Sequence, residues 1–296
     1  MGQPRGKGLP VVVGIDGSSS ALEAARWAAR EAARRGTSVD LVSAFGFAAT
    51  RHIGDPGVGG DFREALMGRS RDDLAAAAGA AAQAAPDIAI SQRVADGFPV
   101  PALAAESAGA ALVVIGDRGL GGFTSLLVGS VAIGLVARAH CPVVVVRGDH
   151  RSDAGPVVVG IDGSEISDAA LAFAVQAADA RKVPLIAVHA WIDTPIQSAL
   201  APLVDVDAVD AGEREVLDER LAAWVAKYPG LTVRRVVVRD KPAHALIQQT
   251  THTTAQLLVV GSHGRGSAAG LLLGSVGNAV LHHSPCPVAV VRPEEW

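Results

Sequence analysis

Two short stretches carry residue types that can do chemistry with an anion. One reads GSHGRGSAAGLLLGS, from Gly261 to Ser275, after the apolar run QLLVV. The other reads GDRGLGGFTSLLVGS, from Gly116 to Ser130, after ALVVI. Both fit one grammar: glycine, two residues, glycine, nine residues, then Gly-Ser. It falls on Gly116, Gly119, Gly129 and Ser130, and again on Gly261, Gly264, Gly274 and Ser275. Glycine lets a backbone take positive φ and lets a ligand come close to it. A Gly-Ser pair that opens a helix offers unpaired N–H groups and a partial positive charge, which suits an anion. Ser130 and Ser275 add hydroxyl donors, and Arg118, His263 and Arg265 add charge-assisted contacts. The phosphates of a nucleotide fit this set. A tight turn alone would explain one copy, but two copies in the same frame argue for a ligand. Neither copy is a Walker A loop, because no Gly-Lys-Ser/Thr follows. Neither is a dinucleotide fingerprint, which belongs after the first strand.

Carboxylates complete the picture. Asp16 and Asp162 each end the run VVVGID. Each can cap the next helix, or face the ribose or a phosphate-bound divalent ion. Mg²⁺ commonly takes one carboxylate together with phosphates. Ala44 and Ala190 are small enough for adenine to pass against the backbone, and Asp193 follows closely enough to reach a polar edge. His189 reads as a packed strand residue.

The elements that must hold these residues occur twice. The glycine loops start 145 residues apart, and the same offset links CPVVVVR at Cys141 to CPVAVVR at Cys286. PVVVGIDGSSS from Pro10 and PVVVGIDGSEI from Pro156 are 146 apart. Matches in the same order along the whole unit imply a tandem duplication, with domains 1–150 and 151–296 joined through the polar stretch GDHRSDAG. PVVVGID reads as a strand buried on both faces. Ser18 to Ser20 then predict a helix start, with Ser20 and Glu23 as a capping box, and Gly36 a helix end. SVDLVSAF is a second strand. Residues 54–60 read as a glycine-rich loop, followed by a helix over 61–85. A third strand is expected near 87–95, a helix over 99–107, a fourth strand in AALVVI, a helix near 130–139 and a fifth strand in PVVVV. The second half follows the same order, with a long loop expected over 193–212.

Strands alternating with helices imply a parallel sheet covered on both faces. Right-handed crossovers give the strand order 3-2-1-4-5 in each half. The expected class is therefore α/β: two tandem doubly wound, Rossmann-like domains, each a five-stranded parallel sheet with helices on both faces. Ligands in such sheets bind where the order reverses, at the carboxyl ends of strands 1 and 4. GIDGS follows strand 1 and the glycine loop follows strand 4, so the two unusual local sequences meet at one crevice.

Composition excludes several classes. A net charge of -4 gives no basic footprint for nucleic acid, and 4% aromatics gives few stacking platforms. Two cysteines, each before a proline, make neither a disulfide framework nor a CxxC site. The N-terminal residues lack an apolar signal-peptide core, and no run approaches the ~20 residues that span a bilayer. A cytoplasmic location is expected.

VVVGIDGS at the head of each half, with the Gly-x2-Gly-x9-Gly-Ser loop after strand 4, resembles the universal stress protein family over nearly all of both halves. The composition is similar to the tandem forms of actinobacteria. The resemblance implies two ATP per chain, and the aspartates beside their phosphates make Mg²⁺ the expected companion. In the first half the implied contacts are Gly14, Asp16, Ala44, Gly116, Asp117, Arg118, Gly119, Leu120, Gly121, Gly122, Gly129 and Ser130. In the second they are Gly160, Asp162, Ala190, Gly261, Ser262, His263, Gly264, Arg265, Gly266, Ser267, Gly274, Ser275 and Val276. The family also pairs domains through the last strand, which implies a homodimer; the regulatory partner stays unnamed.

The sequence holds no catalytic constellation, and its nine histidines form no metal motif. The leading expectation is an ATP-binding sensor or regulator. The alternatives are a slow hydrolase or nucleotidyl-transferring enzyme of the adenosine-nucleotide α-hydrolase type, and an interaction module with vestigial nucleotide binding.

Overall fold

The run of β-branched residues after Pro10 forms β1, Val11–Gly14, whose three valines are all buried. The first unit continues with α1 (Ser19–Arg35), β2 (Val39–Phe45), α2 (Pro56–Ala84), β3 (Ile90–Asp96), α3 (Pro99–Ser107), β4 (Leu112–Gly116), α4 (Ser130–Val136) and β5 (Val143–Val146). The second contains β6 (Val157–Gly160), α5 (Glu165–Arg181), β7 (Leu185–Trp191), α6 (Val206–Lys227), β8 (Val233–Arg239), α7 (Pro242–His252), β9 (Leu257–Gly261), α8 (Ser275–His283) and β10 (Val288–Val291). The structure is a computed structural model that describes residues 8–45, 56–119, 128–147, 154–191, 206–264 and 273–292, with backbone alone at 56–62 and 206–207. The chain divides into two units, Met1–Arg147 and Gly148–Trp296.

Within the first unit the strands run parallel in the order β3-β2-β1-β4-β5. Within the second they run parallel as β8-β7-β6-β9-β10. Both are the expected 3-2-1-4-5. Central strands such as β4 are buried except at the last residue, whereas every residue of β3 at the edge is half-buried or exposed. That contrast follows from helices covering both faces of the middle of each sheet.

Helix starts and stops differ in places from the sequence expectations. Ser18, not Ser20, caps α1: its Oγ accepts from the Ala21 N–H at 3.1 Å. Ser20 lies inside the helix and donates elsewhere, as described below, while Glu23 pairs with Arg26 at 2.5 Å. Gly36 ends the helix in the left-handed region at φ 64. The stretch expected as a glycine loop is helical from Pro56 onward. Proline is tolerated in a first turn because its missing N–H would have no partner there. The buried Leu74, Ala77 and Ala81 further along show the tertiary packing that overrides a poor start. Likewise α6 begins at Val206, so 206–212 is helix rather than loop. The third strand begins at Ile90, and α4 stops at Val136.

Candidate functional site

The turn after the first strand of each unit is set by its aspartate. Asp16 Oδ1 accepts from the Ser18 N–H at 3.0 Å, and Asp162 Oδ1 accepts from the Ser164 N–H at 3.0 Å and the Ser164 hydroxyl at 2.6 Å. Gly17 and Gly163 sit between at φ +82 and +78, a region that disfavours any side chain. One carboxylate oxygen thus fixes the turn. The other faces the fourth-strand loop: a β-carbon on Gly119 would lie 2.6 Å from Asp16 Oδ2, and one on Gly264 would lie 2.7 Å from Asp162 Oδ2. The two unusual sequences do converge. Gly119 and Gly264 are required by close approach rather than by positive φ. Among the described residues the glycines at positive φ are Gly8, Gly17, Gly36, Gly97 and Gly163.

In the first unit a polar link ties α1 to the glycine loop. Ser20 Oγ donates to Asp117 Oδ1 at 2.7 Å, and the Arg118 N–H donates to Ser20 Oγ at 3.4 Å. Ser18 Oγ donates to the Arg118 carbonyl at 3.3 Å. Asp117 is only 9% exposed, while the Arg118 side chain is largely open and stands 3.5 Å from Asp117 Oδ2. In the second unit the same places hold Ile166 and the buried Ser262; the Ile166 side chain would stand 2.7 Å from a β-carbon on Gly261. His263 Nδ1 lies 3.2 Å from Ser262 Oγ.

The chain then returns to close each loop. The Gly129 N–H donates to the Asp117 carbonyl at 2.8 Å, and the Gly274 N–H donates to the Ser262 carbonyl at 2.9 Å. Gly129 and Gly274 are the N-caps of α4 and α8, with no side-chain cap bond. The Gly-Ser pairs therefore open their helices as expected. In α4 the Ala132 N–H donates to the Gly129 carbonyl at 3.1 Å, while the Ser130 and Val131 N–H groups before it lack an intrahelical acceptor and suit an anion.

These elements enclose a cavity of about 630 Å³ in the first unit. Its lining includes Gly14, Asp16, Ala44, Gly116, Asp117, Arg118, Gly119, Gly129 and Ser130, all named from the sequence. The volume suits a drug-sized ligand. Sequence reading missed the walls contributed by distant helices: Leu66, Arg69, Ser70 and Asp73 on α2, and Pro99 and Leu103 on α3, with Ser43 on β2. Only the glycines hinted at them. A β-carbon on Gly17 would meet the Asp73 carboxylate at 2.5 Å, and one on Gly14 would meet Leu103 at 2.8 Å.

In the second unit Gly160, Asp162, Ala190, Gly261, Ser262, His263, Gly264, Gly274, Ser275 and Val276 sit at the ends of β6, β7 and β9 and the start of α8. Gly160 packs under Leu246 as Gly14 does under Leu103. Leu120, Gly121, Gly122, Asp193, Arg265, Gly266 and Ser267 lie outside the described residues. His189 is buried within β7, as expected of a packed strand residue. Among the described residues no cluster of three His, Cys, Asp or Glu forms a metal site. A divalent ion beside Asp16 would need phosphate oxygens for its remaining ligands. Among the described residues no helix is long and apolar enough to cross a membrane.

Comparison with known proteins bears on both units. The model of the Universal stress protein family matches residues 9–147 and 154–292. A universal stress protein of Mycobacterium bovis is 41% identical over 299 residues, covering 99% of each chain. A universal stress protein of Archaeoglobus fulgidus, solved by crystallography, superposes with a TM-score of 0.71 at 20% identity, over 97% of each chain. A shorter universal stress protein solved in complex with cAMP is 31% identical, covers 47% of this chain and 98% of its own, and has a TM-score of 0.38.

Proposed function

This chain belongs to the universal stress protein family, and on that premise we propose that each domain, 1–150 and 151–296, binds one ATP with Mg²⁺. The output is occupancy rather than turnover, as in a nucleotide-dependent regulator of a stress response acting in the cytoplasm as a homodimer. The observation that carries the reading is the meeting of Asp16 with Gly119, and of Asp162 with Gly264, at the mouth of a helix N-terminus. In the first domain, Gly129 and Ser130 hold the phosphates, the Gly116–Gly119 backbone passes the ribose, and Ala44 leaves room for adenine. Asp16 presents its second oxygen to the ribose or to phosphate-bound Mg²⁺. Gly274 with Ser275, Gly261 to Gly264, Ala190 and Asp162 take those roles in the second.

The test is calorimetry of the full chain with Mg-ATP, together with mass analysis of nucleotide carried through purification. Two ATP per chain are expected. An empty protein that ignores ATP sinks the reading in favour of an interaction module. Retained ADP or AMP, with release of phosphate during the titration, favours the hydrolase.

A further inference from the structure

The two units differ at one buried position beside their sites. Gly14 registers with Val42 and Gly160 with Val188, so the next residues, Ser43 and His189, occupy the same place. Ser43 lines the first cavity. His189, 4% exposed, instead spans two acceptors: Nδ1 lies 2.8 Å from the Ile161 carbonyl, and Nε2 lies 2.7 Å from Glu213 Oε2 on α6. A backbone carbonyl only accepts, so Nδ1 carries a hydrogen. A neutral imidazole has just one N–H, and its Nε2 would then turn a lone pair toward a carboxylate. The 2.7 Å contact therefore needs one more proton. Either the ring is an imidazolium donating to Glu213, or Glu213 is a carboxylic acid donating to the ring. Both arrangements hold the same extra proton.

That proton fastens α6, through the ring, to the residue that precedes Asp162. Resting on the ATP reading above, we propose that His189 is a positioning residue for the second nucleotide site, acting through Ile161 on the Asp162 turn, with a proton shared with Glu213 as its fastener. The other charged groups around β7 have their own partners. On α6, Asp210 accepts from Trp191 Nε1 at 2.8 Å and pairs with Arg214 at 3.5 Å. On β8, His189 registers with Val237, flanked by Arg235, which pairs with Asp218, and Arg239, which stacks over Trp191 at 5.7 Å. In the β6–α5 turn, Asp162 is bonded to Ser164, and on α5, Asp168 pairs with Arg220. Without Glu213 the ring loses its partner at Nε2, and the tie from α6 to the Ile161 carbonyl goes with it. The fastener opens and the second site loosens. Ser43 at the same place in the first unit lines the cavity instead.

The test is Mg-ATP calorimetry on the full chain, with Gly119→Val or Gly264→Val silencing one site at a time. The first site, where Ser43 stands in place of His189, is the control. Glu213→Ala is expected to weaken the second site at least about fivefold and leave the first unchanged. Glu213→Gln can donate an N–H to a neutral ring, so it should keep second-site binding. His189→Ser should weaken the second site as Glu213→Ala does. Second-site affinity that ignores Glu213→Ala, or that falls equally in Glu213→Gln, overturns this inference alone. Absence of ATP from both sites overturns the nucleotide reading and this inference with it.

Discussion

Asp16 Oδ2 stands where a β-carbon on Gly119 would have to be, at 2.6 Å, so the aspartate and the glycine define each other. The carboxylate has little freedom to retreat, because its other oxygen holds the Ser18 N–H. Gly119→Val should therefore push Asp16 out of its turn and weaken ATP binding in the first domain at least about tenfold, or 1.4 kcal/mol. The second domain should be untouched, so calorimetry should read one ATP per chain instead of two. Gly264→Val should do the reverse through Asp162. A folded Gly119→Val protein that still binds two ATP at parental affinity would mean that these glycines only shape a turn.

The Ser20–Asp117 bond invites a double-mutant cycle. Ser20→Ala removes a donor from a carboxylate that is 9% exposed, and should cost about 1–3 kcal/mol of stability in denaturant unfolding. Asp117→Ser alone should cost less, because it removes the buried charge. Ser20→Ile with Asp117→Ser copies the Ile166–Ser262 arrangement and should recover much of the loss. Strict additivity of Ser20→Ile and Asp117→Ser, each measured alone and then together, would show that the residues are not coupled.

Burial holds the Cys141 thiol well above its ordinary value near 9, up to about 12. Thiolate is the reactive form, so Cys141 should resist iodoacetamide at pH 8 in the folded protein and react on unfolding. The sign of the linkage follows. Between about pH 9 and 12 the unfolded chain has lost this proton and the folded chain has kept it, so stability from this group should fall as pH rises through that window. Labelling of native Cys141 at the rate of a free thiol would contradict the burial of this residue.

Turnover is the next expectation. Rapid hydrolysis needs a positioned water and an in-line path beside the charge stabilisation. The described residues supply donors at Gly129 and Ser130 and a carboxylate at Asp16, whose first oxygen is committed to the turn. Single-turnover rates with Mg-ATP should lie far below the ~10 s⁻¹ enzyme median. Binding should stabilise the fold by about 2.7 kcal/mol at a hundredfold excess over Kd, visible as a thermal shift with a non-hydrolysable analogue. Rates near that median that vanish in Asp16→Asn and Asp162→Asn would promote the hydrolase.

Strand order and the loop grammar were legible in the sequence because both are local and stated twice. Apolar runs name the strands, and the Gly-Ser pair marks the helix start without reference to anything distant. The walls of the cavity were not legible. Asp73 and Leu103 reach the site through crossovers, and nothing in their own helices marks them. Ser20 illustrates the ambiguity: a serine three residues before a glutamate reads as a cap, yet its partner is a carboxylate 97 positions away. His189 reads as packed until Glu213 is placed above it. The helical start of α2 was hidden by glycines, whose poor propensity is outweighed by packing further along.

The Ser20–Asp117 bond limits what any copying of sequence from one repeat into the other could leave behind. At the corresponding positions the second unit holds an isoleucine, Ile166, and a serine, Ser262. A conversion tract that overwrote the first end without the second would place Ile166's equivalent against Asp117, leaving a buried carboxylate facing a hydrocarbon. The opposite tract would set Ser20 beside a serine and forfeit the charge-assisted bond. Only a tract covering both ends, about two-thirds of a repeat, stays neutral. The two halves are thus held apart in sequence at this pair of positions.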